Sequence, residues 1–171
     1  MLISQNTSKQ ISKLLNGKKK ALFLMFCCLN SLLLAEPTFF YHGSPTDGID
    51  CLEPRIGHIP GNETNSPPSV YASDLPAFAA AQSFSWSTDE GIDLYVDNET
   101  VVLEIPASIS SRLQSQAYIY SVDSQQFSRV ESETTGHTFR STGQVPCLQK
   151  ESFQNVVEAI EYYGGKVIVK E

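Results

Sequence analysis

Among the residues able to do chemistry, those from Phe40 to Pro45 stand out: Phe-Tyr-His-Gly-Ser-Pro. An aromatic run of high strand propensity ends there at a histidine beside a glycine. An imidazole at a strand end can hydrogen-bond a ligand, and the adjoining glycine lets that ligand approach the backbone. About thirty residues on, Val70-Tyr71-Ala72-Ser73 forms a second short apolar run, and its tyrosine offers a ring face for stacking. Together these residues suit a planar, ribose-bearing ligand, with His42 and Tyr71 converging on it from neighbouring strands. Read without that ligand, His42 is a satisfied strand-end histidine and Tyr71 a core aromatic.

The order strand–His–Gly–Ser, an irregular loop, then strand–Tyr–Ala–Ser and an alanine-containing helix resembles the ADP-ribosyltransferase superfamily. The likeness is to its diphtheria-toxin and poly(ADP-ribose) polymerase branch, and it covers about Phe39 to Phe84 by motif and the rest by element order. The resemblance implies NAD as substrate, with His42 on a ribose hydroxyl, the Gly43 backbone on the nicotinamide carboxamide, Tyr71 stacked on the nicotinamide ring, and Ser44 among the NAD-binding residues. It also implies a glutamate that stabilises positive charge on the sugar as nicotinamide departs. The strand expected to carry that acid lies between His137 and Cys147, where no residue is acidic. Gln144 or Thr138 is expected to stand there as a neutral hydrogen-bonding group, and Glu131 and Glu133, just upstream, are acidic but lie in a polar stretch that reads as a solvated loop.

Other chemistry is less well supported. Cys147 with His137 or His58 makes a thiol–imidazole pair on paper, without the glycine-flanked elbow that would expose such a nucleophile. Paired carboxylates for glycoside hydrolysis can always be found among 19 acidic residues, so they carry no information. No paired Cys/His spacing suggests a metal site. Asn62-Glu63-Thr64 and Asn98-Glu99-Thr100 fit the glycosylation acceptor pattern.

The elements that must position these residues follow from pattern. Residues 1–35 read as a signal peptide. Lys9, Lys13, Lys18, Lys19 and Lys20 precede an apolar run from Ala21 to Ala35 that is too short to span a bilayer. This places the mature chain in a secreted or periplasmic setting, without stable membrane insertion after cleavage. All 19 acidic residues but only 7 of the 12 Lys and Arg lie beyond Ala35, which leaves a net charge of −12. So acidic a domain repels phosphate backbones, so nucleic acid is not an expected partner; a protein acceptor is what the resemblance to ADP-ribosyltransferases implies. Cys51 and Cys147 survive cleavage; they are enough for one disulfide or remain two unpaired buried thiols.

Residues 36–171 read as a single domain. Strands are expected at Thr38–Tyr41, Val70–Ala72, Val101–Ile105, Ala117–Val122, Phe127–Val130 and Lys166–Val169, with Ile49–Leu52 either a strand or one helical turn. Helices are expected over about Leu75–Phe84, capped by Ser73 or Asp74, and over Phe153–Tyr163, capped by Glu151 or Ser152. Gly57 to Pro68 reads as a loop and Trp86 to Gly91 as a turn. The class is α+β: a split antiparallel β core with short flanking helices, ADP-ribosyltransferase-like. The functional expectation is an exported domain that binds NAD or a related nucleotide and transfers ADP-ribose. The alternatives are a non-catalytic binding module on the same fold and an unrelated α+β domain.

Overall fold

The structure, a computed structural model, describes residues 38–56, 67–130 and 136–171. The signal-peptide reading of residues 1–35, His58, Asn62, most of the 57–68 loop, Glu131 and Glu133 therefore lie outside the described residues. Among the described residues no helix is long and apolar enough to cross a membrane.

The fold is α+β and mostly antiparallel. Among the described residues eleven strands run in chain order as β1 (Phe39–Ser44), β2 (Cys51–Leu52), β3 (Val70–Ser73), β4 (Asp93–Asp97), β5 (Thr100–Pro106), β6 (Ala117–Asp123), β7 (Ser128–Arg129), β8 (Thr138–Ser141), β9 (Val145–Pro146), β10 (Gln149–Phe153) and β11 (Lys166–Lys170). Among the described residues two α-helices, α1 (Pro76–Ala81) and α2 (Val156–Tyr162), are both short. Six strands form the main sheet in the order β10-β6-β1-β3-β8-β7. A second sheet, β11-β5-β4, contains the parallel pair β11–β5, and β2 pairs with β9 alone.

Side-chain alternation along β1 divides the core. Tyr41 packs with Leu103, Ile105, Ile119, Phe153, Val156 and Ile160, between the main sheet, the helices and the second sheet. Phe40 points the other way, to Leu52, Val70, Ala72, Val122 and Val145, under the β2–β9 pair. Its ring stacks on Phe139 with centroids 4.1 Å apart. The histidine strand is therefore central, with covering elements on both faces.

Both helices are shorter than their patterns suggest. Pro76 opens α1, Leu75 stands at its N-cap, and no side chain caps it. Ser73 Oγ instead accepts from Leu75 N at 3.1 Å, and Asp74 is engaged by His137. Helix α2 starts at Val156 because Asn155 is its cap, accepting from Glu158 N at 2.9 Å. The preceding residues, expected to be helical or capping, pair with β6 as β10 instead.

Candidate functional site

His42 and Tyr71 lie on adjacent strands of the main sheet, and both line one cleft of about 230 Å³. The cleft has a structural cause. Strand β1 pairs with β6 along its whole length, from Phe39↔Asp123 to Ser44↔Tyr118, but it meets β3 in a single register pair, Tyr41↔Ser73. Beyond that pair β1 and β3 part, and the gap is bridged by His42 Nδ1, which lies 2.8 Å from the carbonyl oxygen of Tyr71.

A carbonyl can only accept, so Nδ1 carries the proton of that bond. Burial holds the His42 imidazole below its ordinary pKa; the Tyr71 bond opposes the shift and the nearby Arg55 guanidinium adds to it. The ring is accordingly neutral at pH 7, and its Nε2 is a lone-pair acceptor with no protein partner among the described residues. Towards a ligand, His42 accepts a hydroxyl proton.

The two rings do not converge on one face as their order in the sequence suggests. Ala72 faces Phe139 across β3–β8, and Phe139 stacks on Phe40, which puts His42, Phe40 and Ala72 on the β2–β9 side. Strict alternation sends the Tyr71 side chain to the opposite face, level with its partner Arg140. The parting is closed at this point by the bond from His42 to the Tyr71 carbonyl, so a ligand seated against the His42 ring does not also face the Tyr71 ring.

Gly43 is not among the residues that line the cleft. A Cβ at this position would lie 1.8 Å from the carbonyl oxygen of Ala79, so its missing side chain admits α1 against β1. Ser44 does line the cleft, and its Oγ accepts from Thr46 N at 3.1 Å, closing the turn after the histidine. Tyr120 of β6 holds the same loop: its hydroxyl donates to Thr46 O at 2.9 Å and accepts from Ile49 N at 3.3 Å.

The opposite wall is the run Cys51–Arg55, with Leu52, Glu53 and Arg55 lining the cleft. Strand β2 is pinned to β9 through Leu52↔Val145, and Arg55 forms an isolated bridge with Ser69 just ahead of β3. Gln144, singled out as a stand-in for the missing acid, does not itself line the cleft. Its Nε2 instead donates to both carboxylate oxygens of Glu53, at 2.9 and 2.8 Å. Glu53 and Arg55 were missed by the sequence reading. Their one signal was a pair of opposite charges flanking Pro54 at a strand end, directly before the irregular loop.

The other candidates are placed as follows. Thr138 begins β8 opposite Ser73, and its buried Oγ1 has no partner among the described residues. His137 pairs with Asp74 at 2.8 Å, not with Cys147. Burial, with Cys51 and Asp50 nearby, pushes the Cys147 thiol up to about 11, which leaves it a poor nucleophile. Cysteine counting left a disulfide and two unpaired thiols open; in the structure Cys51 and Cys147 are free, and Cys147 N donates to Asp50 O at 2.9 Å beside the β2–β9 pair. Among the described residues no group of three or more His, Cys, Asp or Glu could hold a metal ion.

A wider groove of about 780 Å³ is lined by Pro45, Phe84, Trp86, Glu90 and Arg112. Its guanidinium is already committed to Glu90 at 2.8 Å, so it offers a ligand less than the cleft does. No protein-family model, curated protein or solved structure matches the chain.

Proposed function

We propose that the domain binds NAD or a related nucleotide at the parting of β1 and β3, and that ADP-ribose transfer to a protein acceptor is its reaction. The observation that carries this reading is the His42–Tyr71 tie across the parting, within a cleft that also holds Arg55. A cleft of about 230 Å³ is smaller than the roughly 300–1,000 Å³ of whole small-molecule sites. It suits one half of a dinucleotide, the other half lying outside the cleft. Both the nicotinamide contact and the transfer step come from the resemblance to ADP-ribosyltransferases.

The non-catalytic binding module is the second reading, and one observation favours it: β8, Thr138–Ser141, carries no acidic residue. Calorimetric titration of the protein with NAD tests the first proposal. The expected result is saturable binding that His42→Ala abolishes while the variant keeps a cooperative melt. Absence of heat with the wild-type protein would defeat it. Release of nicotinamide above the His42→Ala background separates transferase from module.

A further inference from the structure

Glu53 and Arg55 form the charged wall of the cleft, and nothing in the expected His–Gly–Tyr arrangement accounts for them. Both are exposed and both line the cavity. Their backbone is fixed at each end, by β9 at Leu52 and by Ser69 at Arg55, with Pro54 restricting the residues between. The pair is thus preorganised, not carried on a free loop.

Each group has capacity to spare. Gln144 Nε2 occupies one acceptor site on each Glu53 oxygen, and a carboxylate oxygen has a second. Two neighbouring acceptors match the two donors of a cis-diol. The Arg55 side chain has no hydrogen-bond or ion-pair partner among the described residues, whereas Arg112, Lys150 and Lys170 pair with Glu90, Asp47 and Asp93. An unpaired guanidinium is suited to bidentate contact with phosphate. His42 Nε2 adds a third acceptor for hydroxyl protons.

Three hydroxyl acceptors beside a guanidinium with no partner among the described residues describe a ligand that donates hydroxyls and carries negative charge. We infer that Glu53 and Arg55 select a phosphorylated ribose, the carboxylate taking the 2′,3′-diol and the guanidinium the phosphate, with Gln144 positioning Glu53. This rests on the nucleotide reading above and names the half of the ligand that the cleft holds.

The test is calorimetric titration of the wild-type protein and of Glu53→Gln, Arg55→Met and Tyr71→Ala with NAD, ADP-ribose, ADP and 2′-deoxy-ADP. Thermal melts check folding, which the exposed sites Glu53 and Arg55 should preserve. Losing a hydrogen bond to a charged group weakens binding roughly 10–100-fold. Arg55→Met should therefore weaken all four ligands by at least about tenfold. The wild-type protein should prefer ADP over 2′-deoxy-ADP, and Glu53→Gln should remove that preference. Tyr71→Ala should leave ADP unchanged, since its ring lies on the opposite face of the sheet.

NAD binding that is indifferent to Glu53→Gln and Arg55→Met would overturn this inference and leave the proposed function standing. ADP and ADP-ribose binding that depends on both residues, without NAD binding, would uphold it and overturn the NAD reading. Absence of binding by all four ligands to the wild-type protein would overturn both.

Discussion

Gly43→Ala separates two reasons for a glycine after the histidine. If the glycine exists to let a ligand near the backbone, alanine should damage binding and spare stability. The structure argues for the reverse. The added methyl would sit 1.8 Å from Ala79 O, 2.8 Å from Ala79 C and 3.2 Å from Ser83 N, all backbone atoms. No side chain can rotate away to relieve such a contact. Helix α1 would have to retreat by more than an ångström, yet Ala77, Phe78, Ala79, Ala80 and Ala81 are all buried.

Overpacking a close-packed core costs about 1–3 kcal/mol, and a clash with a fixed backbone belongs at the upper end. A loss of about 3 kcal/mol is a large part of the roughly 5–15 kcal/mol that holds a domain together. It should lower the melting temperature by about 10 °C and shift the urea midpoint in proportion, with the slope unchanged. Thermal melts and urea titrations followed by circular dichroism read both quantities. A Gly43→Ala protein with wild-type stability but lost nucleotide binding would refute the packing argument and return the glycine to the ligand.

Three further outcomes follow from particular groups. His42 has a folded-state pKa below the ordinary 6.5, so its contribution to stability is complete above that pH and is lost as pH falls from about 6.5 towards the folded value. Urea midpoints at pH 7.5 and 5.5 should therefore differ less in His42→Asn than in the wild type; an equal difference would count against a buried neutral imidazole. With its thiol near 11 instead of 9.0, Cys147 should alkylate roughly a hundredfold more slowly at pH 8 in the folded protein than in urea, as peptide mapping would show. The β4–β5 turn places both Asn98 and Glu99 at positive φ, 45° and 67°, a hairpin geometry that favours Asn-Gly. Glu99→Gly should raise stability by roughly 0.5–1 kcal/mol, and a lower melting temperature would contradict that reading of the turn.

Where a residue's own pattern decided the outcome, the sequence was enough. The aromatic run ending at His42, the Val-Tyr-Ala-Ser strand and the Ala-rich helix are local signals, and β1, β3 and α1 lie where they point. Strand β10 failed because Phe153 falls at helical spacing with Val156, Val157 and Ile160, while its pairing with Ala117 of β6 is set by a distant segment. Strand β4 was missed for a related reason. Asp93, Tyr95 and Asp97 alternate with Leu94 and Val96, but the run has charged ends and gains its identity only by pairing with β5. The faces taken by His42 and Tyr71 were equally hidden, because they depend on the Tyr41↔Ser73 register and not on either strand alone.

The same limit explains the displaced carboxylate. A search for an acid along Thr138–Gln144 finds none, because it assumes that the charge must come from the strand beside β3. The cleft has a second wall, built from a two-residue strand whose partner is β9. That pairing brings Gln144 and Glu53, ninety-one residues apart, into a double hydrogen bond. The neutral residue on the expected segment thus orients an acid from another. Gln144→Ala tests whether that orientation matters. It should release Glu53 to solvent and reduce the preference for ribose over 2′-deoxyribose, less severely than Glu53→Gln, with binding of the phosphate group intact. An unchanged preference would mean that Glu53 needs no support from Gln144, and the segment opposite Tyr71 would then have no part in the site.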